Sequence, residues 1–413
     1  MKRILCTIFI LLSLVGYTQE HFTLSGKIVS AETNEPLSFS TISILGTSIG
    51  VVSNFLGEFE LRIPRDHAKD TLLVSMLGYN PYTNPLSKME NDSSLIIALE
   101  DNIISLSEVE VNAHKLTALE IVEKVIESIA DNYPISPYLL EGFTRSHMRE
   151  CGKYVKLYEA DFELYGQGYH KKSPEKIYIN ESRQSEQVAN YQSVVLRGNR
   201  NPFIAMRHIN DVLFRSYSLK TANKNYVIDG YTYVDDQLIY IIKTNHSKYE
   251  NHTMYINAED YALIKVNMIM ATPEDEDWNP ILNKGTSTDS SNFQVTQISK
   301  VIQFEKVEDR YYAKYMDWLI EGNLTNRKTA EEFCDWGFRF ETMFDQVKFK
   351  NFEKPARDRL MIPHPKKDPK HTPYNALFWE NYQLIQDFPI TPQIIQDLEI
   401  STPLETQFKR TDK

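Results

Sequence analysis

The fold is constrained most by a series of long segments in which apolar and polar residues alternate. One of these segments places five apolar residues on a single face, in the period-two pattern of a strand that packs on one side: Ala262, Ile264, Val266, Met268 and Met270. Similar segments recur from residue 153 to residue 348, and residues 257–260 have the composition of a hairpin turn. We therefore predict a mainly β protein whose larger part is an antiparallel sheet, either curved or a half-barrel, with a few helices.

A helix is predicted immediately before this sheet. Thr117 and Glu120 have the spacing of a capping box, and Pro134 ends the helical pattern. Its apolar residues follow helical spacing at Leu119, Val122, Ile126 and Ile129. We expect this face of the helix to lie on the sheet, and we expect a shorter helix around residues 204–214.

The first hundred residues contain shorter strands, separated by turns at close intervals, which is the pattern of a β-sandwich. Within them, residues 46–50 satisfy G-x-S-x-G, the signature of a hydrolase nucleophile elbow with Ser48 as the nucleophile. Such an elbow requires a helix after the turn, whereas residues 51–53 are strand-like. We therefore interpret Ser48 as a hairpin residue, and the glycines as residues that permit the turn.

Several turn residues of this region form a recognisable set: Gly26, Pro36-Leu37, Gly46-Thr47, Gly50, Gly57 with Phe59, and Gly78-Tyr79. With them, the region resembles the carboxypeptidase regulatory-like domain, a transthyretin-type sandwich common in Bacteroidota envelope proteins. Asn54 stands where that family usually has Asp, which removes a charge but keeps the turn. The resemblance implies a fold and export from the cytoplasm, and it implies no catalysis.

The whole chain is similar in layout to Bacteroidota proteins described as carboxypeptidase-like regulatory domain-containing, whose role is unknown. The predicted larger sheet is similar in layout to lipoprotein-carrier half-barrels. Neither similarity rests on a motif that specifies a reaction.

The N-terminal residues have the pattern of a secretory signal peptide. Lys2 and Arg3 precede an apolar run from residue 4 to residue 15, and Gly16 and Thr18 supply small residues at a cleavage site before Gln19. Cys6 lies before most of the apolar run, so a lipid anchor on this cysteine is not expected. We therefore expect an exported protein, periplasmic or associated with the outer membrane, that is not a lipoprotein.

Hydropathy and charge exclude some partners. After residue 18, no run approaches the roughly 20 apolar residues of a membrane helix, so we expect no transmembrane helix in the mature chain. Removal of residues 1–18, which hold two basic residues and no acid, takes the net charge from −11 to −13. Such an acidic protein is not expected to bind nucleic acid.

These observations predict four segments. Residues 1–18 form the signal peptide, residues 19–112 the regulatory-like sandwich, and residues 113–350 the antiparallel domain with its covering helix. Residues 351–413 form a proline-rich connector followed by an aromatic tail that docks on the sheet or on a partner.

The zinc-site candidate is the H-x-x-E pair His147 and Glu150, with His252 as a third ligand about a hundred residues later. In an extended strand, His147 and Glu150 point to opposite faces, so we interpret them as surface polar residues. The acid-rich run at residues 273–279 lacks the ligand spacing and turn glycine of a calcium loop, and we interpret it as a solvated hairpin loop. No metal, cofactor or catalytic residue is predicted.

The mature chain has two cysteines, Cys151 and Cys334. Two alternatives stay open, a single bridge or a pair of half-buried thiols, and we do not expect a domain of this size to need the bridge in order to fold.

The function indicated is that of a non-enzymatic binding or assembly protein of the cell envelope. Its partner would be an envelope protein or a hydrophobic, peptide or glycan ligand. The alternatives are an exported metal-dependent or serine hydrolase and a small outer-membrane β-barrel or structural component. An apolar cavity enclosed by the sheet would favour a carrier, and a filled sheet would exclude one.

We predict that the mature protein begins at Gln19, because the small residues Gly16 and Thr18 precede it. The intact mass of protein taken from an envelope fraction measures this directly. A mass that includes Met1 would contradict the prediction.

Overall fold

The computed structural model describes residues 21–47, 49–89, 95–103, 116–169, 175–186, 188, 203–206, 219, 225–234, 237–247, 249–272, 291–326, 329, 332–362, 372–382 and 390–410. The predicted signal peptide, Ser48, the acid-rich run at 273–279 and most of the predicted helix at 204–214 lie outside these residues. The predicted boundary near residue 112 also lies outside them.

The described residues form two compact units, one among residues 21–102 and the other among residues 103–381 and 390–410. In the first unit, seven strands form two small sheets. The strands are β1 His21–Ser30, β2 Thr41–Ile44, β3 Gly50–Val52, β4 Glu58–Pro64, β5 Thr71–Ser75, β6 Tyr82–Pro85 and β7 Leu95–Leu99. One sheet has the order β4-β1-β7 and the other β3-β2-β5-β6, and a single apolar core that includes Ile28 and Ile42 contains residues of both. The predicted N-terminal sandwich is therefore confirmed.

The glycine-rich segment that carries G-x-S-x-G connects two strands. β2 pairs with β3 in antiparallel register, and the main-chain N–H of Ile44 donates to the carbonyl of Ile49. The segment is therefore a hairpin followed by a strand, which is the interpretation made from the sequence. In the next turn, the side-chain oxygen of Asn54 accepts hydrogen bonds from the main-chain N–H groups of Leu56 and Glu58, so this turn forms without the family's usual Asp.

The second unit contains one sheet of eleven strands. They are β8 Tyr138–Glu150, β9 Lys153–Gly166, β10 Lys176–Gln184, β11 Asn225–Val234, β12 Gln237–Ser247, β13 Glu250–Asn257, β14 Leu263–Ala271, β15 Ser291–Val307, β16 Arg310–Asn326, β17 Glu332–Lys348 and β18 Leu360–Met361. Their order is β11-β12-β13-β14-β15-β16-β17-β8-β9-β10-β18. All paired neighbours are antiparallel, and the predicted curved sheet is confirmed as an open one with β11 and β18 at its edges. β18 comes from the segment predicted as an extended connector.

The described helices are short. They are α1 Ala118–Glu127, α2 Ile129–Asn132, α3 Phe203–Met206, α4 Ala376–Asn381, α5 Pro392–Leu398 and α6 Leu404–Arg410. Thr117 and Glu120 form the predicted capping box at the start of α1. The predicted buried face was partly wrong, because Leu119 and Ile126 are exposed while Ile121 and Val125 are buried. Among the described residues, no helix has the length and hydropathy needed to cross a bilayer.

One face of the large sheet is filled by side chains. Its core combines α1 and α3 with residues from nearly every strand, including the aromatic residues Tyr133, Tyr138, Phe162 and Phe304. Tyr133 contacts Tyr169 and Phe304 at ring-centroid distances of 5.1 and 5.5 Å. A cavity beside Leu140 has a volume of about 40 Å³, room for a few water molecules. We call this face of the sheet the apolar face.

Cys151 and Cys334 are joined by a disulfide. Cys151 follows β8, Cys334 lies in the neighbouring strand β17, and their Cα atoms are 4.8 Å apart. The main-chain N–H of Cys151 donates to the carbonyl of Asp335, which brings the turn after β8 against β17. Of the two alternatives left open by the sequence, the structure has the bridge.

We predict that replacing both Cys151 and Cys334 by serine lowers the free energy of unfolding by about 2–4 kcal/mol, because the bridge restricts the unfolded chain. The protein should still fold, since the ladder between β8 and β17 does not depend on the bridge. Thermal unfolding of the double variant, with wild type in oxidised and reduced buffer as controls, measures both effects. Failure of the reduced protein to unfold cooperatively would show that the bridge is required for folding.

Candidate functional site

The face opposite the apolar face carries a row of register-matched residues across seven neighbouring strands, from β14 to β10. We call it the polar row, and it consists of Asn267, Val301, Asp317, Glu341, Arg145, Glu159 and Arg183. Residues matched in antiparallel register lie side by side on one face of a sheet, so each lies beside the next. Four members that carry charge are almost fully buried: Arg145, Glu159, Asp317 and Glu341.

The centre of the polar row is Glu159. One of its oxygens accepts from Nε of Arg145 at 2.7 Å, and the other accepts from Nε of Arg183 at 2.6 Å. Burial raises the pKa of Glu159, but the nearby charges of Arg183 and Arg145 outweigh burial and hold the pKa below its ordinary value. The carboxylate is therefore ionised at neutral pH and neutralises two buried guanidinium groups.

A second ion pair lies two strands away from Glu159. Arg339 donates from Nε and from an Nη atom to the two oxygens of Asp317, at 2.8 and 2.9 Å. Burial raises the pKa of Asp317 even though Arg339 opposes this effect. Burial works against protonation of Arg339, but Asp317 and Glu341 outweigh it and raise the arginine pKa. This pair is a planar, two-bond contact of the strongest kind that arginine makes.

His147 lies beside this pair and is buried, with 6 % of its surface exposed, and Glu150 is equally buried. The prediction that they are surface polar residues was wrong, because β8 is an interior strand between β17 and β9. Burial and then the charges of Arg339 and Arg145 push the pKa of His147 well below its ordinary value, so the imidazole is neutral at pH 7. Its ring packs edge-on against Tyr154, with centroids 5.2 Å apart.

The structure does not bring the proposed zinc ligands together. His147 pairs across the sheet with Arg339, and Glu150 pairs with Trp336. His252 is in β13, with four strands between it and β8, and its Nε2 atom lies 2.7 Å from Glu250. Within the described part of the chain, no group of three or more His, Cys, Asp or Glu side chains has the arrangement of a metal site.

The C-terminal tail packs against the end of the polar row. The guanidinium carbon of Arg183 lies 4.6 Å from the ring centroid of Trp379 and 4.8 Å from that of Phe408. Asp397 of α5 is buried and accepts a hydrogen bond from the main-chain N–H of Tyr154 at 3.0 Å. The aromatic content of the tail predicted that it docks. The sequence does not show that it docks on Arg183, because this residue is far along the chain from Trp379 and Phe408.

Lys265 lies on the same face, two residues from Asn267 along β14. It is 7 % exposed, and its register partners are Tyr255 on β13 and Gln303 on β15. Its ammonium lies 5.5 Å from the ring centroid of Tyr255. Burial lowers the pKa of Lys265 to about 8. The sequence does not mark Lys265 as buried, because alternation identifies its face and not how deeply that face is buried.

Comparison with known proteins identifies the first unit. Residues 24–111, about a fifth of the chain, match the family model of the CarboxypepD_reg-like domain, as the turn residues predicted. A search of curated proteins finds no match.

Solved structures similar to the chain give low scores. A LolA superfamily protein from Nitrosomonas europaea is 9 % identical, with 58 % of this chain and 96 % of that chain covered and a TM-score of 0.22. A DUF1329 family protein from Desulfovibrio piger is 8 % identical, with coverages of 57 % and 93 % and a TM-score of 0.25. The MucA/MucB complex of Pseudomonas aeruginosa is 7 % identical, with 55 % of this chain and 94 % of that chain covered and a TM-score of 0.19. At such scores, function has to be argued from the geometry of this chain.

We predict that Glu159→Gln lowers the free energy of unfolding by about 3–5 kcal/mol, because it leaves Arg145 and Arg183 buried without a counter-charge. Glu321→Gln is the matched control. Its side chain is 37 % exposed in a pair with Arg149, and the change should cost less than about 1 kcal/mol. Urea unfolding at pH 7 measures both.

The direction of the Glu159 pKa shift determines how the difference in unfolding free energy between wild type and Glu159→Gln depends on pH. The folded-state pKa of Glu159 lies below its ordinary value, so its contribution to stability is present above the unfolded-state pKa of about 4.3 and is lost as pH falls through the folded-state pKa. The gap between wild type and Glu159→Gln should therefore narrow in acid. A gap that is equal at pH 7 and pH 3 would contradict this origin.

Proposed function

We propose that the protein is a non-enzymatic binding or assembly protein of the cell envelope, and that its larger sheet binds a polar ligand or partner on the face that carries the polar row. The observation that carries the proposal is the contrast between the two faces of this sheet. One face is filled by the protein's own apolar side chains, and the other presents buried charges beside exposed positions such as Ile269.

A filled apolar face argues against a carrier for acyl chains. The space where a curved sheet would hold a lipid is occupied by α1, Tyr133 and Phe203 in the described structure. A ligand of the opposite face meets ammonium, guanidinium, carboxylate and amide groups instead. Peptides, glycans and polar protein surfaces fit this chemistry better than hydrocarbon does.

The buried titratable groups support binding rather than catalysis. Catalysis by a side-chain nucleophile needs a base within hydrogen-bond reach and a third group that orients the base. His147 is neutral and packs against Tyr154, and His252 is held by Glu250 of its own strand. The two histidines lie in β8 and β13, with four strands between them, so they do not converge on one site.

Export is supported by the bridge between Cys151 and Cys334, because disulfides persist in oxidising compartments such as the bacterial periplasm. We therefore propose that the protein resides in the periplasm or at the outer membrane.

Site-specific photo-cross-linking tests the binding face. A photoreactive phenylalanine analogue replaces Ile269, which is 43 % exposed on the polar-row face, or Ile126, which is 39 % exposed on α1. We expect intact cells to give one defined adduct from position 269 and none from position 126. Mass spectrometry of the adduct identifies the partner and the contacting peptide.

The proposal fails if position 269 gives no adduct, or if both positions give the same adducts. It also fails if the purified protein hydrolyses ester or peptide substrates and loses that activity in His147→Ala or His252→Ala.

A further inference from the structure

Lys265 differs from the other buried cations of its face, because the described residues supply no counter-charge to it. Arg145 and Arg183 share Glu159, and Arg339 is paired with Asp317. Across the described residues, the ammonium of Lys265 has no ion pair and no hydrogen bond, and its contact is the ring of Tyr255. More than nine-tenths of the residue is buried.

An unpaired buried charge is costly, because removal from water weakens its solvation and nothing replaces it. A methionine of similar volume would fill the same position without that cost. Retention of a lysine therefore calls for a counter-charge that the described residues do not supply. A ligand with a negative charge would supply that group.

The residues near Lys265 indicate further chemical features of this ligand. Asn267 lies two residues away on the same face, about 6–7 Å along the strand. Its side-chain oxygen is buried and has no hydrogen-bond partner among the described residues. Ile269 continues the same face and is exposed. The three side chains offer, in order, a cation, a hydrogen-bonding amide and an apolar rim.

We propose that Lys265 is the anchor of a binding site for an acidic group, a carboxylate or a phosphate, and that Asn267 hydrogen-bonds a neighbouring polar group of the same ligand. The site rests on the proposed function and deepens it, because it gives the chemistry of what the polar-row face binds. An acidic sugar or an acidic peptide side chain has both features.

Burial adds a pH dependence to this site. Because the pKa of Lys265 is lowered to about 8, the amine is mostly protonated at pH 7 and mostly neutral at pH 9.5. An acidic ligand bound to the ammonium should therefore bind well at pH 7 and lose affinity as pH rises through about 8.

The experiment measures the melting temperature of the full-length mature protein with three probes at constant ionic strength. Galacturonate is the carboxylate, inorganic phosphate is the phosphate, and galactose is the uncharged control. We expect one or both acids to stabilise wild type at pH 7, with a smaller effect at pH 9.5 and none from galactose.

Three variants locate the effect. Lys265→Met should melt at a higher temperature than wild type without ligand, because it removes an unpaired charge, and its affinity for the acid should fall about tenfold or more. Lys265→Arg keeps the charge and should keep most of the stabilisation. Lys243→Met is the matched control, since Lys243 lies on the same face but is paired with Asp229 at 2.8 Å, and it should respond like wild type.

Stabilisation by galacturonate indicates a carboxylate site, and stabilisation by phosphate indicates a phosphate site. Either result supports the proposal. The proposal is overturned if neither acid stabilises wild type more than Lys265→Met, or if Lys243→Met loses as much of the effect. An adduct at position 269 without an acid effect would leave the proposed function standing and remove this site. An acid effect without an adduct would keep this site and remove from the proposed function only the macromolecular partner at position 269.

Discussion

The larger unit depends on one carboxylate that lies between two guanidinium groups. Glu159 belongs to β9, Arg145 to β8 and Arg183 to β10, so a single buried side chain ties three neighbouring strands together. A slip of one residue in either ladder would move a charge to the apolar face and leave its partner unpaired. We infer that this group fixes the register of the sheet more than it adds net stability.

The same group connects the sheet to the end of the chain. Arg183 is neutralised by Glu159 on one side and covered by Trp379 and Phe408 on the other. A guanidinium over aromatic rings is attracted more strongly once water is excluded. Docking of the tail and burial of the polar row therefore strengthen each other, and loss of the tail would uncover Arg183 at the end of the row.

Much of the fold can be predicted from the sequence because period-two alternation and turn residues are local signals. They gave the sandwich, the antiparallel sheet and the capping box of α1. The sequence does not show which strands are interior, so it misplaced His147 and Glu150 at the surface and missed the depth of Glu159 and Lys265. The helix presents two neighbouring apolar stripes, and only packing selects the one with Ile121 and Val125. The pairing of Cys151 with Cys334 likewise required the neighbourhood of β8 and β17.

The strand order has a consequence for how the chain acquires its structure. β8, near the start of the larger unit, pairs with β17, which ends at Lys348, so the middle of the sheet is closed by partners almost two hundred residues apart. Contacts of such separation make folding slow, because the chain must close a long loop before the contact stabilises it. During synthesis, β8 to β10 emerge long before β17 and expose an unpaired edge of β8 in the meantime. Expression of this protein should therefore depend on chaperones that cover sheet edges until the chain is complete.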